Sequence, residues 1–175
     1  MSEAVDAAPE NDSEDARESG PDAIPMPTPP PVRLAVDELL PLVNRRMEGL
    51  DAAAEKVSLD IGLLELVRTR ASQLNHCAYC TDAHGAEAID VGQHVRKVLA
   101  LPVWREAPFF TQRERAALEL TEAITQLSNG PVTDDVWDGA AKEFTEVELA
   151  ELVWSIAIIN TWNRLAGPAR PWPVE

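Results

Sequence analysis

The run Glu65-Leu66-Val67-Arg68-Thr69-Arg70-Ala71-Ser72-Gln73-Leu74-Asn75-His76-Cys77-Ala78-Tyr79-Cys80-Thr81-Asp82-Ala83-His84 decides how this chain is read. Its first half places Leu66, Val67, Ala71 and Leu74 at helical spacing. Its second half holds both cysteines of the protein in a Cys-x-x-Cys pair. On a helix Cys80 and His84, four residues apart, share a face. A thiol one turn from an imidazole has a proton acceptor and donor at hand, as a redox-active or nucleophilic cysteine requires.

Outward from this run the pattern stays helical. Upstream, Val36, Leu39, Leu40, Val43 and Met47 recur at helical spacing across Pro41, and a second helix is expected from about Leu59 to Asn75. The motif helix runs from about Cys77 to Ile89, with Gly92 as its stop. A short helix follows over Gln93 to Leu101, then an aromatic-rich loop from Pro102 to Phe110. Thr111-x-x-Glu114 is a capping box for a helix ending near Leu127, and Asn129-Gly130-Pro131 is a breaker. Thr133 opens a helix to about Phe144. Thr145-x-x-Glu148 is a second capping box, for a last helix to about Arg164 that Gly167-Pro168 ends. No stretch alternates apolar and polar residues between hairpin turns, so the fold class is all-α: a helical bundle of about seven helices. The last helix, with Leu152, Val153, Trp154, Ile156, Ala157, Ile158 and Ile159, is apolar nearly all round. It is expected at the bundle centre or in a subunit interface, and the protein is expected to be a homo-oligomer. The five tryptophans (Trp104, Trp137, Trp154, Trp162, Trp172) are core or interface mass.

Residues 1–31 differ in kind. Glu3, Asp6, Glu10, Asp12, Glu14, Asp15, Glu18 and Asp22 face a single base, Arg17, and a proline run follows from Pro25 to Pro31. Such a segment buries too little apolar surface to offset the entropy of ordering it, so a disordered acidic, Pro-rich tail is expected, with one helical domain over 32–175. The 175 residues, 45% of them hydrophobic, suffice for one core. The net charge of −15 repels phosphate backbones and sets nucleic acid aside as a partner. No apolar run reaches membrane-spanning length, and the N-terminus lacks the basic start of a secretory signal, so a cytoplasmic location is expected.

Three readings of the motif stand side by side. In the first, a thiolate attacks a peroxide, His84 supplies the proton, and the second cysteine closes a disulfide. In the second, Cys77, Cys80, His84 and either His76 or Glu65 hold zinc, although structural zinc sites normally join separated ligand pairs. In the third, the cysteines are buried and the histidine incidental. By itself Glu65 reads as an exposed acid pairing with Arg68 or Thr69, and His94 as a surface or helix-start residue.

The run from Glu65 to His84 resembles the core of the AhpD-like alkylhydroperoxidases, within the carboxymuconolactone decarboxylase superfamily. Trp104-Arg105-Glu106-Ala107-Pro108-Phe109-Phe110 leading into Glu114-Arg115-Ala116-Ala117-Leu118, and Ile159-Asn160-Thr161-Trp162-Asn163-Arg164-Leu165, agree with it; the likeness spans about Val36 to Ala166. The resemblance implies an all-helical fold assembling as trimers or hexamers. It implies reduction of hydrogen peroxide or organic hydroperoxides without a cofactor, recycled by a dithiol or a lipoylated protein. It assigns Cys80 as the attacking and Cys77 as the resolving cysteine, with His84 and Glu65 as the proton relay. There is one departure: the best-studied members have a histidine between the cysteines where this chain has Tyr79, which cannot act as a base near neutral pH. A different class, a redox-sensing or scaffold protein with the same fold and little turnover, stands as the alternative.

Overall fold

The computed structural model describes residues 27–54 and 57–172. The expected acidic tail lies almost wholly outside these residues; of its proline run, Pro27 and Pro29 to Pro31 are exposed and in neither helix nor strand. Among the described residues eight α-helices follow in order: α1 Val36–Leu39, α2 Pro41–Ala54, α3 Ile61–Leu74, α4 Ala78–Asp90, α5 Val95–Ala100, α6 Gln112–Thr125, α7 Asp134–Glu143 and α8 Glu146–Ala169. Among the described residues there is no strand.

Local chemistry explains most of the boundaries. The Asp60 side chain accepts from Leu63 N–H and caps α3. Both expected capping boxes form, Thr111 with Glu114 on α6 and Thr145 with Glu148 on α8. Two boundaries differ from the sequence reading, both at proline. The single helix expected across Pro41 is two: the residue before a proline is driven out of the α region, so α1 stops at Leu39 and Pro41 becomes the first residue of α2. Conversely, Gly167-Pro168 does not end α8, which runs on to Ala169. Pro168 falls in the last turn, where its missing N–H removes one bond, and the chain leaves through Arg170 in the left-handed region.

The centre of the bundle is α3, not α8. Three apolar clusters meet on it. Leu63, Leu64 and Val67 pack with Leu120, Phe144, Leu152 and Ile156; Leu66 packs with Leu101, Trp104, Phe110 and Leu118; Ala71 packs with Cys77, Cys80, Ile159 and Ala166. Burying each such large side chain contributes about 1.5–3 kcal/mol. The polar residues of α3 tolerate this position because they are satisfied there: Thr69 Oγ1 donates to Glu65 O at 2.7 Å and Ser72 Oγ to Arg68 O at 2.8 Å. By contrast α8 keeps a face in solvent, with Val147 and Trp154 66% and 57% exposed. Helix α2 buries no residue and leaves Leu42, Val43 and Leu50 exposed; Trp162 Nε1 donates to Asp51 Oδ2 at 2.9 Å and ties it to α8.

Two polar devices hold the remaining parts. Arg115 donates to the carbonyls of Trp104, Arg105, Ala107 and Phe110 and pins the loop before α6. Between α3 and α8, Asn75 Nδ2 donates to the side-chain oxygens of Asn160 and Asn163, and Asn163 Nδ2 donates to Ser72 Oγ at 3.0 Å.

Candidate active site

The junction of α3 and α4 sets the positions of both sulfurs. Helix α3 ends in a Schellman motif: His76 N–H donates to Gln73 O and Cys77 N–H to Ser72 O, with His76 at φ 56°. Cys77 is therefore not inside the motif helix. It is the N-cap of α4, where its sulfur accepts from Cys80 N–H at 3.3 Å. The two cysteines are joined by a disulfide with a Cα–Cα separation of 5.4 Å. Both are buried, in the cluster with Ala71, Ile159 and Ala166. Tyr79 and Trp162 pack against this cluster, and Tyr79 meets Trp172 edge-on at 5.9 Å.

One turn on, His84 faces α3. Its Nδ1 lies 2.8 Å from Glu65 Oε2. Glu65 is not the exposed acid its composition suggests; it is 2% exposed, and its other oxygen accepts from Arg68 Nη1 at 2.6 Å. A second carboxylate, Glu87 Oε2, lies 3.0 Å from the same ring nitrogen. Burial pushes the His84 pKa down, but the hydrogen bonds and charges of Glu65 and Glu87 outweigh it and lift the value from 6.5 to about 9. Near neutral pH the ring is an imidazolium. The same contact to His84 is the main cause holding the Glu87 carboxyl below its ordinary value. Both carboxylates occupy Nδ1, which leaves Nε2 as the nitrogen able to give a proton to a sulfur or a substrate.

The structure thus brings Glu65 and His84 into direct contact and bonds Cys77 to Cys80, with Cys80 and His84 a turn apart on α4. It does not assemble the four-ligand zinc set. Among the described residues, the group whose ligating atoms lie within 4.8 Å of one another is Glu65, His84 and Glu87, without a cysteine. His76 instead lines an open groove of about 710 Å³ on the other side of α4, beside Ala78, Ala86 and Val98. His94 is the N-cap of α5, its side chain accepting from Arg96 N–H. Glu87 is the residue the sequence reading missed; its place three residues after His84 on a helix was the available signal.

Comparison with known proteins agrees with this architecture. The family model of the carboxymuconolactone decarboxylase family matches residues 41–123. The uncharacterized protein YdfG of Bacillus subtilis is 31% identical over 134 residues, which is 77% of this chain and 91% of that protein. The chain belongs to the carboxymuconolactone decarboxylase family. AhpD-like proteins share this architecture: ATU0492 of Agrobacterium tumefaciens, a protein of unknown function suggested to be an AhpD antioxidant-defence protein, is 30% identical with a TM-score of 0.80, covering 83% of this chain and all of that one. The debrominase Bmp8 shares the fold alone, at 22% identity and a TM-score of 0.71 over 79% of this chain and 74% of its own. Among the described residues of this family member, no helix is long and apolar enough to cross a membrane.

Proposed function

We propose that the protein is a cytoplasmic, thiol-dependent peroxidase that reduces hydrogen peroxide or organic hydroperoxides. The observation that carries this reading is the contact of His84 with buried Glu65, one turn from a Cys-x-x-Cys disulfide. In the reduced protein the Cys80 thiolate attacks the O–O bond and becomes a sulfenic acid. The leaving oxygen takes its proton from His84 Nε2. The Cys77 thiol then displaces water from the sulfenic acid and forms the disulfide. A dithiol, free or as a lipoyl group on a partner protein, reduces that disulfide and is itself oxidised. An imidazolium beside Cys80 favours the thiolate in the first step.

A homo-oligomer, a trimer or hexamer, is part of the same proposal. The exposed faces of α2 (Leu42, Val43, Leu50) and α8 (Val147, Trp154) are the apolar surfaces that support it.

One observation favours the alternative of a redox-sensing or scaffold protein with little turnover: Cys77 and Cys80 are 0% and 4% exposed as residues, which hinders a large donor. Steady-state consumption of peroxide with dihydrolipoamide separates the two. Turnover is expected in the wild type and none in Cys80→Ser; Cys77→Ser should undergo a single oxidation without recycling. Equal residual activity in the two variants would overturn the assigned roles, and no consumption by the wild type would leave the sensing protein.

A further inference from the structure

His84 has two carboxylates on one nitrogen, and they are not equivalent. Glu65 reaches Nδ1 from α3, is buried, and shares its charge with Arg68 through its other oxygen. Glu87 reaches Nδ1 from the next turn of α4, and its side chain is 57% exposed. As charges, Arg68 and Glu65 cancel. A protonated His84, with only 19% of its side chain exposed, then lacks a full counter-charge unless Glu87 provides it. With Glu87 the four groups sum to zero.

We propose that Glu87 is a positioning residue for His84: it supplies the ring's counter-charge from the solvent side and holds the proton on Nδ1, so that Nε2 is the nitrogen that works. Its use in catalysis rests on the peroxidase reading above; the charge arrangement does not. In the oxidising half-cycle the Nε2 proton passes to the leaving oxygen, and the ring, left as the neutral Nδ1–H form, takes a proton back from water at neutral pH, so that it is again an imidazolium in the disulfide state. In the reducing half-cycle the dithiol gives up two electrons and two protons; one proton goes to the Cys77 sulfur, the other is released to solvent, and Cys80 leaves as the thiolate. Glu87 gives and takes nothing in this cycle.

Several charged groups on the other elements packed against α4 have partners of their own: Arg70 of α3 pairs with Glu122 at 2.7 Å. Lys97 of α5 pairs with Glu114 at 2.7 Å, and Arg96 lies over the Phe109 ring. On α8, Glu148 pairs with Arg113, Glu151 accepts from Ser58, and Arg164 donates to Asn160. Glu65 and Glu87 are therefore the groups that set the charge of His84, with Arg68 acting on Glu87 as well as on Glu65, and the raised pKa of the ring agrees with that.

The test is the titration of the His84 ring by NMR in the full-length oxidised protein, with its signal assigned by loss in His84→Gln. In Glu87→Gln, which keeps an acceptor but no charge, the midpoint should fall by about 1–3 units. An unchanged midpoint in that variant overturns the proposal. Should Glu87→Gln not fold, the wild type in about 1 M salt decides, because an exposed counter-charge is screened and a buried one is not. A lowered wild-type midpoint then supports the proposal and a constant one overturns it. Failure of the peroxidase reading shows itself separately: a midpoint that follows Glu87 in a protein that consumes no peroxide keeps the positioning role and removes the enzyme.

Discussion

Taking the charge off His84 should remove an identifiable block of stability. Folding raises the ring's pKa from 6.5 to about 9, because its bonds to Glu65 and Glu87 outweigh the burial that would lower it. A proton held more tightly by the native chain than by the unfolded one stabilises the native chain wherever it is bound. The contribution is therefore complete below 6.5, declines between 6.5 and about 9, and is absent above. At about 1.4 kcal/mol per unit it amounts to about 3 kcal/mol. The ring is only 19% exposed, so solvent does not screen most of this away. Urea unfolding of the disulfide-intact protein, followed by far-UV circular dichroism at a series of pH values, measures it. His84→Gln is the comparison, since it keeps a donor for Glu65 and cannot titrate. The stability difference between wild type and variant should shrink by about 3 kcal/mol across that window. Parallel curves would refute the claim that the two carboxylates hold a charged ring.

Other outcomes follow from the same contacts. Glu65→Gln and His84→Gln should slow peroxide turnover by roughly 10²–10⁴-fold in steady-state assays; wild-type rates would remove both from the mechanism. Arg115→Ala removes the donor to four loop carbonyls, and should cost at least about 2 kcal/mol in chemical unfolding and open residues 102–110 to proteolysis. An unchanged cleavage pattern would mean that packing of Trp104 and Phe110 holds the loop instead. Asn163→Ala removes one of the two acceptors of Asn75 and the donor to Ser72 Oγ, and the two lost bonds should destabilise by about 1–3 kcal/mol; a neutral result would show that water replaces the amide.

Helix starts were readable where their chemistry is local. Thr111 with Glu114, and Thr145 with Glu148, need only a four-residue window, and both boxes form as expected. Proline was read less well because its effect depends on where in the turn it falls: Pro41 splits a helix that periodicity joins, while Pro168 sits in a last turn that tolerates it. Which helix lies at the centre was also hidden. Apolar composition favours α8, but α3 occupies the centre because Glu65, Arg68, Thr69 and Ser72 satisfy one another there. Glu65 shows the limit most clearly. Its charge is written in the sequence; its burial depends on α4 lying across it, which spacing alone does not report. Glu87 lies within reach of a helical-spacing argument, since it stands three residues beyond His84 and seven beyond Cys80, on the face those two share.

Cys77 closes one helix and opens the next, and its main chain is held by Ser72 behind while its carbonyl accepts from Thr81 ahead. These anchors are peptide groups, indifferent to whether the sulfur is a thiol or half of a bridge. The backbone can therefore stand still while electrons come and go, and cycling between the two forms asks for side-chain rotation but no refolding of the turn.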